Sequence, residues 1–180
     1  LPISQRAAHV VAITNGFDAA LLRGDAGARV PLKAKPLEIA HFGTVYAKRS
    51  PLPLFAALDR LTESHPNLRE HLLVNFTGEW EIQDPVCNRL AEKLESSGVL
   101  QRHARIDRAE CLVRMASSQV LLILQEGTPV QIPAKLYEYI AMRRPLVILG
   151  GVGATANLVR KHHLGFCCAN EPGAIEILLR

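Results

Sequence analysis

Short aliphatic runs recur along this chain, and each is followed by a stretch whose apolar residues fall three or four apart. Val120-Leu-Leu-Ile-Leu124 is the clearest run. It carries no polar alternation, which is the pattern of a strand covered on both faces. His9–Ile13, Glu38–Phe42, Leu72–Phe76, Val99–Arg105, Leu146–Leu149 and Leu164–Ala169 read as further strands. The stretches between them carry helix signals. Ser50-Pro51 and Asp84-Pro85 each place a capping residue before a proline, and Leu54, Leu58 and Leu61 follow the first pair on one stripe. Asp107 with Glu110 reads as a capping box, and Gly98 as a helix stop. Ala134–Arg144, Ala154–His163 and Pro172–Leu179 complete the helices. Strands alternating with such helices predict an α/β fold: a doubly wound, Rossmann-like parallel sheet with helices on both faces.

One stretch departs from the alternation. Ala19–Pro36 holds four Gly or Pro and no clear period, so it reads as a loop. It divides the chain into a lead-in segment with a strand (residues 1–18), the loop (19–36) and the main domain (37–180). At 180 residues, 48% hydrophobic and 21% charged, the chain is neither disordered nor a coiled coil, and with 5% aromatics its core is aliphatic. No apolar run approaches the roughly 20 residues of a membrane span, and no leader pattern opens the chain. The first residue is Leu, so the chain reads as a piece of a longer protein. Cys87, Cys111, Cys167 and Cys168 form no C-x-x-C pair, which suits reduced thiols in the cytoplasm.

The net charge of +4 suits an anionic partner, but no run of five basic residues exists to favour nucleic acid. A phosphate on a small molecule fits better. In an open parallel sheet, ligands bind at the carboxyl ends of the strands, so three loops stand out. Gly43-Thr44 follows one strand and leads to Lys48 and Arg49 just before a helix; the pair is either a phosphate grip or two solvated cations. Glu126-Gly127-Thr128 follows the strongest strand and leads to Lys135 in a helix's first turn, where a cation opposes the helix dipole unless an anion is bound. Lys135 and Glu138 share a helical face, as a nucleotide site or as a surface ion pair. Gly151, Gly153 and Ala156 satisfy G-x-G-x-x-A, with Glu171 twenty residues after Gly151. That dinucleotide fingerprint belongs in the first βαβ unit, yet only one strand follows it here, so a Gly-rich turn that brings a helix N-terminus to a phosphate is the preferred reading. Sequence motifs for a hydrolase nucleophile, a P-loop or a zinc site are missing, the other histidines are scattered, and His162-His163 reads as a structural helix end.

The run Ile132-Pro-Ala-Lys-Leu-Tyr-Glu-Tyr-Ile-Ala-Met-Arg-Arg-Pro-Leu-Val147 resembles the P-x-K-x-x-E-Y-x-A signature of glycosyltransferases with the GT-B fold, in particular the donor-binding half of the group 1 (family 4) enzymes. Ile13–Asp18 is similar to their interdomain hinge, His41–Thr44 to the Gly loop after the first strand, Arg108–Leu122 to the stretch before the donor loop, and Gly153–Leu164 to a later segment. The resemblance implies one half of a GT-B fold and a retaining transfer of a hexose from a nucleoside-diphosphate sugar, which is a substrate; no cofactor or metal is implied. It assigns Glu138 to the ribose hydroxyls, and Lys48 or Arg49 with Lys135 to the donor diphosphate as the catalytic cations. Gly43 and Thr44 would approach the phosphates, Glu126, Gly127 and Thr128 would cradle the sugar, Leu136 would lie against the donor, and backbone near Ala104–Asp107 would read the base. It further implies an N-terminal acceptor domain absent from this chain, and a cytoplasmic full-length enzyme at the inner face of a membrane. Two departures stand out. Val130 occupies the place of the first glutamate of the family's E-x7-E motif, with Glu126 four residues too early, and the basic pair is compressed to adjacent Lys48-Arg49. A non-catalytic nucleotide-binding or interaction module on the same fold, and an NAD-linked fragment, are the alternatives.

Overall fold

The computed structural model describes residues 15–18, 36–127 and 129–180. The expected strand His9–Ile13, most of the loop Ala19–Pro36, and Thr128 lie outside them. Six parallel strands form the sheet: β1 (Leu37–Phe42), β2 (Leu72–Thr77), β3 (Leu100–His103), β4 (Val120–Leu124), β5 (Leu146–Leu149) and β6 (Gly165–Cys168). The order across the sheet is β3-β2-β1-β4-β5-β6. The chain therefore winds outward from β1 to β3 and then returns to start again at β4. That reversal makes the β1–β4 junction the topological switch point, where an open sheet parts its loops to form a crevice.

The helices are α1 (Leu52–Ser64), α2 (Pro85–Ser96), α3 (Arg108–Ser117), α4 (Ala134–Ala141), α5 (Ala154–Lys161) and α6 (Pro172–Leu179). Successive strand residues feed opposite faces. Leu122 and Leu124 of β4 join the core beneath α1, α2 and α6, while Leu121 and Ile123 join the core beneath α3, α4 and α5. This two-sided burial is the reason the strands lack polar alternation.

Helix ends follow local chemistry. Asp84 Oδ1 accepts from the N–H groups of Val86 (2.8 Å) and Cys87 (3.4 Å), capping α2. Asp107 Oδ1 accepts from Glu110 N at 2.9 Å, but the Glu110 carboxylate turns to Arg114 at 2.6 Å, so only half of the capping box forms. α1 starts at Leu52 with Pro51 as its capping residue, and Ser50 Oγ accepts from Leu52 N at 3.2 Å. α4 and α5 stop earlier than their apolar spacing predicts, because Arg143 and His163 turn into the left-handed region at φ 53° and 52°. β3 stops at His103, short of the expected Arg105. All four cysteines are free thiols.

Candidate functional site

The carboxyl ends of β1, β2 and β3 open into a cleft of about 460 Å³, closed on its other side by α3 and α4. Gly43 and Thr44 form part of its floor, and Lys135 and Glu138 project into it from the first turns of α4. Arg105 and Arg108 come from the segment after β3. The Glu138 side chain is only 16% exposed, and both of its oxygens are engaged: Oε1 by Arg108 Nη1 at 3.1 Å and Oε2 by Lys135 Nζ at 2.8 Å. Burial pushes this carboxyl upward, yet Lys135 and Arg108 together hold it below the usual carboxylate range. The Lys135–Glu138 pair is thus no solvated surface bridge. It is a fixed carboxylate in a cleft, with lone pairs left to accept from ligand hydroxyls.

A second, smaller hollow of about 90 Å³ lies at the switch point itself, between the ends of β1 and β4 and under the start of α4. Arg49 and Lys135 both line it, along with Gly43, Thr44 and Pro133. Lys48 stands exposed on the short 3-10 turn Ala47–Arg49 and lines neither cavity. Of the adjacent basic pair, Arg49 is the one turned inward.

Glu126 and Gly127 line a separate cavity of about 400 Å³ over β4, β5 and β6, where Glu126 Oε2 accepts from Asn170 Nδ2 at 2.9 Å. The Leu136 side chain is wholly buried in the core, and its N–H donates to Pro133 O at 3.0 Å. Val130 is 90% exposed.

The Gly-rich turn is corrected by its hydrogen bonds. Gly150 and Gly151 N–H groups donate to Cys168 O, and Ala154 N donates to Pro129 O at 2.6 Å. Thr155 Oγ1 donates to Gln131 O. The start of α5 is therefore covered by the loop 129–131, and these donors are spent inside the protein. The turn also follows β5, away from the β1–β4 junction, so the dinucleotide reading has no support in the topology, and the Gly150, Gly151 and Ala154 N–H groups are not the ones that could meet a phosphate there. Glycine is required for packing instead: a Cβ on Gly150, at φ +153°, would stand 1.7 Å from Gln125 O.

Three residues escape sequence reasoning. Arg108, His41 and Tyr139 reach the site through long-range contacts. His41 Nδ1 donates to Leu122 O at 3.0 Å, and Tyr139 Oη accepts from Phe42 N at 2.9 Å. Local pattern flags none of them, although the tyrosine lies inside the signature run.

Comparison of the structure with solved ones agrees with this layout. The C-terminal domain of a glycosyl transferase group 1 family protein from Francisella tularensis matches with a TM-score of 0.57 at 16% identity, over 79% of this chain and 72% of that one. This chain has the fold of the C-terminal half of a GT-B glycosyltransferase. The N-terminal domain of Candida albicans trehalose-6-phosphate phosphatase matches this GT-B half with a TM-score of 0.68 at 11% identity, over 92% of this chain and 40% of that one. S. aureus MnaA in a co-structure with UDP matches at 0.53 and 11%, over 92% and 39%. Further glycosyltransferase structures share the fold. The GT-B half described here thus spans about two fifths of the longer structures it matches. No family model matches the sequence, and no curated protein matches it significantly.

Proposed function

We propose that this chain binds the nucleoside-diphosphate sugar of a retaining glycosyltransferase, with the acceptor held by a second half. The observation that carries the reading is the Glu138 carboxylate, fixed by Lys135 and Arg108 in a cleft at the carboxyl end of β1. Glu138 would accept from the ribose hydroxyls. Arg49, Lys135 and the positive end of the α4 dipole would meet the diphosphate at the switch point. When the bond from the sugar's anomeric carbon to the diphosphate breaks, the departing oxygen gains charge, and these fixed cations stabilise it most at that moment. The UDP in the S. aureus structure supports a nucleotide as the ligand class. Alone, the chain should bind donor and transfer nothing.

Val130, exposed and apolar where the resemblance calls for a glutamate, favours a second reading: a nucleotide-binding module without transfer activity. Titration calorimetry with UDP, GDP, UDP-glucose and NAD separates the readings. Binding of UDP or GDP that Glu138→Ala weakens at least about tenfold supports a donor site. Selective NAD binding overturns it. Slow hydrolysis or transfer of the donor sugar, once the longer protein is assayed, distinguishes an enzyme from a module.

A further inference from the structure

His41 is a buried base left with one nitrogen without a partner in the wall of the hollow under α4. It is the fifth residue of β1 and is only 6% exposed. Leu122 O can only accept, so the 3.0 Å contact places the ring proton on Nδ1. Nε2 then carries the lone pair. It has no hydrogen-bond partner among the described residues, and it lies 3.7 Å from where a Cβ on Gly43 would stand. His41, Gly43, Arg49 and Lys135 all line the same hollow of about 90 Å³. An unpartnered buried nitrogen is costly, and the hollow that His41 lines is where a partner for it can enter.

The groups facing the ring explain its state. Phe76 of β2 packs against it at 5.3 Å, and β4 offers the Leu122 carbonyl. The cations Arg49 and Lys135 approach from the 3-10 turn and α4. Glu138 is already held by Lys135 and Arg108, and Tyr139 is buried and stays protonated. Burial above all, then Arg49 and Lys135, keep the imidazole neutral, against the pull of the Leu122 hydrogen bond. A phosphate in the hollow reverses the sign of that field. Its oxygens also require donors, and a lone pair at Nε2 would repel them.

We propose that His41 takes up one proton when a phosphate group enters this hollow, and that its Nε2–H then donates to the anion. The proposal rests on the donor reading for the identity of the ligand, and adds to it a proton-linked binding residue. The diphosphate of a sugar nucleotide is a diester with no proton to give near neutral pH, so the proton comes from solvent. Imidazole becomes imidazolium, and no bond in the ligand changes.

The test uses the whole chain labelled with 15N-histidine at neutral pH, with UDP-glucose and inorganic pyrophosphate as probes. His41 resonances are assigned by their loss in His41→Gln. The expected result is that Nε2 moves from a lone-pair shift to a protonated one on adding either probe. Calorimetry in buffers of different ionisation heat should report uptake of up to one proton per UDP-glucose. Between the free-state pKa of His41, about 4, and its higher value in the complex, the Kd for UDP-glucose should rise by up to about tenfold per pH unit, and His41→Gln, whose amide does not titrate, should flatten that slope. Binding of UDP-glucose with a neutral His41 and no proton uptake overturns the inference and leaves the donor reading intact. Protonation by pyrophosphate without any binding of UDP-glucose, UDP or GDP overturns the donor reading and keeps the inference. No response to any probe overturns both. Should His41→Gln fail to fold, the ring shifts and buffer comparison on the unsubstituted chain still decide.

Discussion

Tyr139 Oη accepts a hydrogen bond from the backbone N–H of Phe42 at 2.9 Å, and the two rings meet edge to face with centroids 6.5 Å apart. The bond ties α4 to the last residue of β1, directly before Gly43. It therefore fixes how far the helix carrying Lys135 and Glu138 stands from the loop that faces it. Tyr139 is fully buried, so water cannot replace the hydroxyl.

Tyr139→Phe keeps the ring and removes the acceptor. The Phe42 N–H is left buried without a partner, which should cost about 1–3 kcal/mol in urea unfolding with an unchanged m-value. UDP affinity should fall as well, because the Gly43 loop and α4 lose their tie. An unchanged UDP affinity in a destabilised variant would show that the hydroxyl serves stability alone.

Glu138 is expected to make the protein acid-sensitive. Its folded-state pKa lies below the unfolded value, so its stabilisation is present above the unfolded pKa and is lost as pH falls through the folded one. Urea melts at falling pH should show the unsubstituted chain losing stability across and below the usual carboxylate range. Glu138→Gln should lose less over that window. Equal acid slopes for both chains would mean that the ion pairs with Lys135 and Arg108 are not kept in solution.

Gly78 is the tightest point in the floor of the cleft. At φ +146°, a Cβ there would stand 2.2 Å from Gly43 O, and the opposing atom is backbone, which cannot swing away. Gly78→Ala should cost at least about 2 kcal/mol, from strain and from displacement of the Gly43 loop. Thermal unfolding and UDP titration read the two parts separately, with the affinity loss expected even where the chain still folds.

What was legible in the sequence was local. Val120–Leu124 is a strand to the residue, since a continuous apolar run bounded by polar residues has one solution in a two-sided sheet. Gly43, Lys135 and Glu138 were equally visible, each being part of a short run whose spacing has chemical meaning. His41, Tyr139 and Arg108 were not. They act on partners 81, 97 and 30 residues away, and no local period encodes such contacts. The Gly150–Gly153 turn shows the opposite failure. Glycines needed for close approach of two loops match the pattern of glycines needed for a phosphate, and only the spent N–H groups tell them apart.

His41 itself predicts a second pH dependence, of unliganded stability. Burial, reinforced by Arg49 and Lys135, lowers its pKa from 6.5 to about 4 in the folded chain. The unfolded chain therefore binds the proton first, and between those two values it holds more protons than the folded one. Stability contributed by the neutral ring is complete above about pH 6.5 and is lost progressively down to about pH 4. The full loss is about 3 kcal/mol, from the difference between the two pKa values at about 1.4 kcal/mol each unit. Urea melts across that window should show this decline, and His41→Gln, with no titrating ring, should flatten it. The window for Glu138 lies lower, so the two variants should remove different parts of one acid-unfolding profile. Saturating UDP-glucose should reverse the His41 contribution, because the bound anion favours the protonated ring that the free protein disfavours.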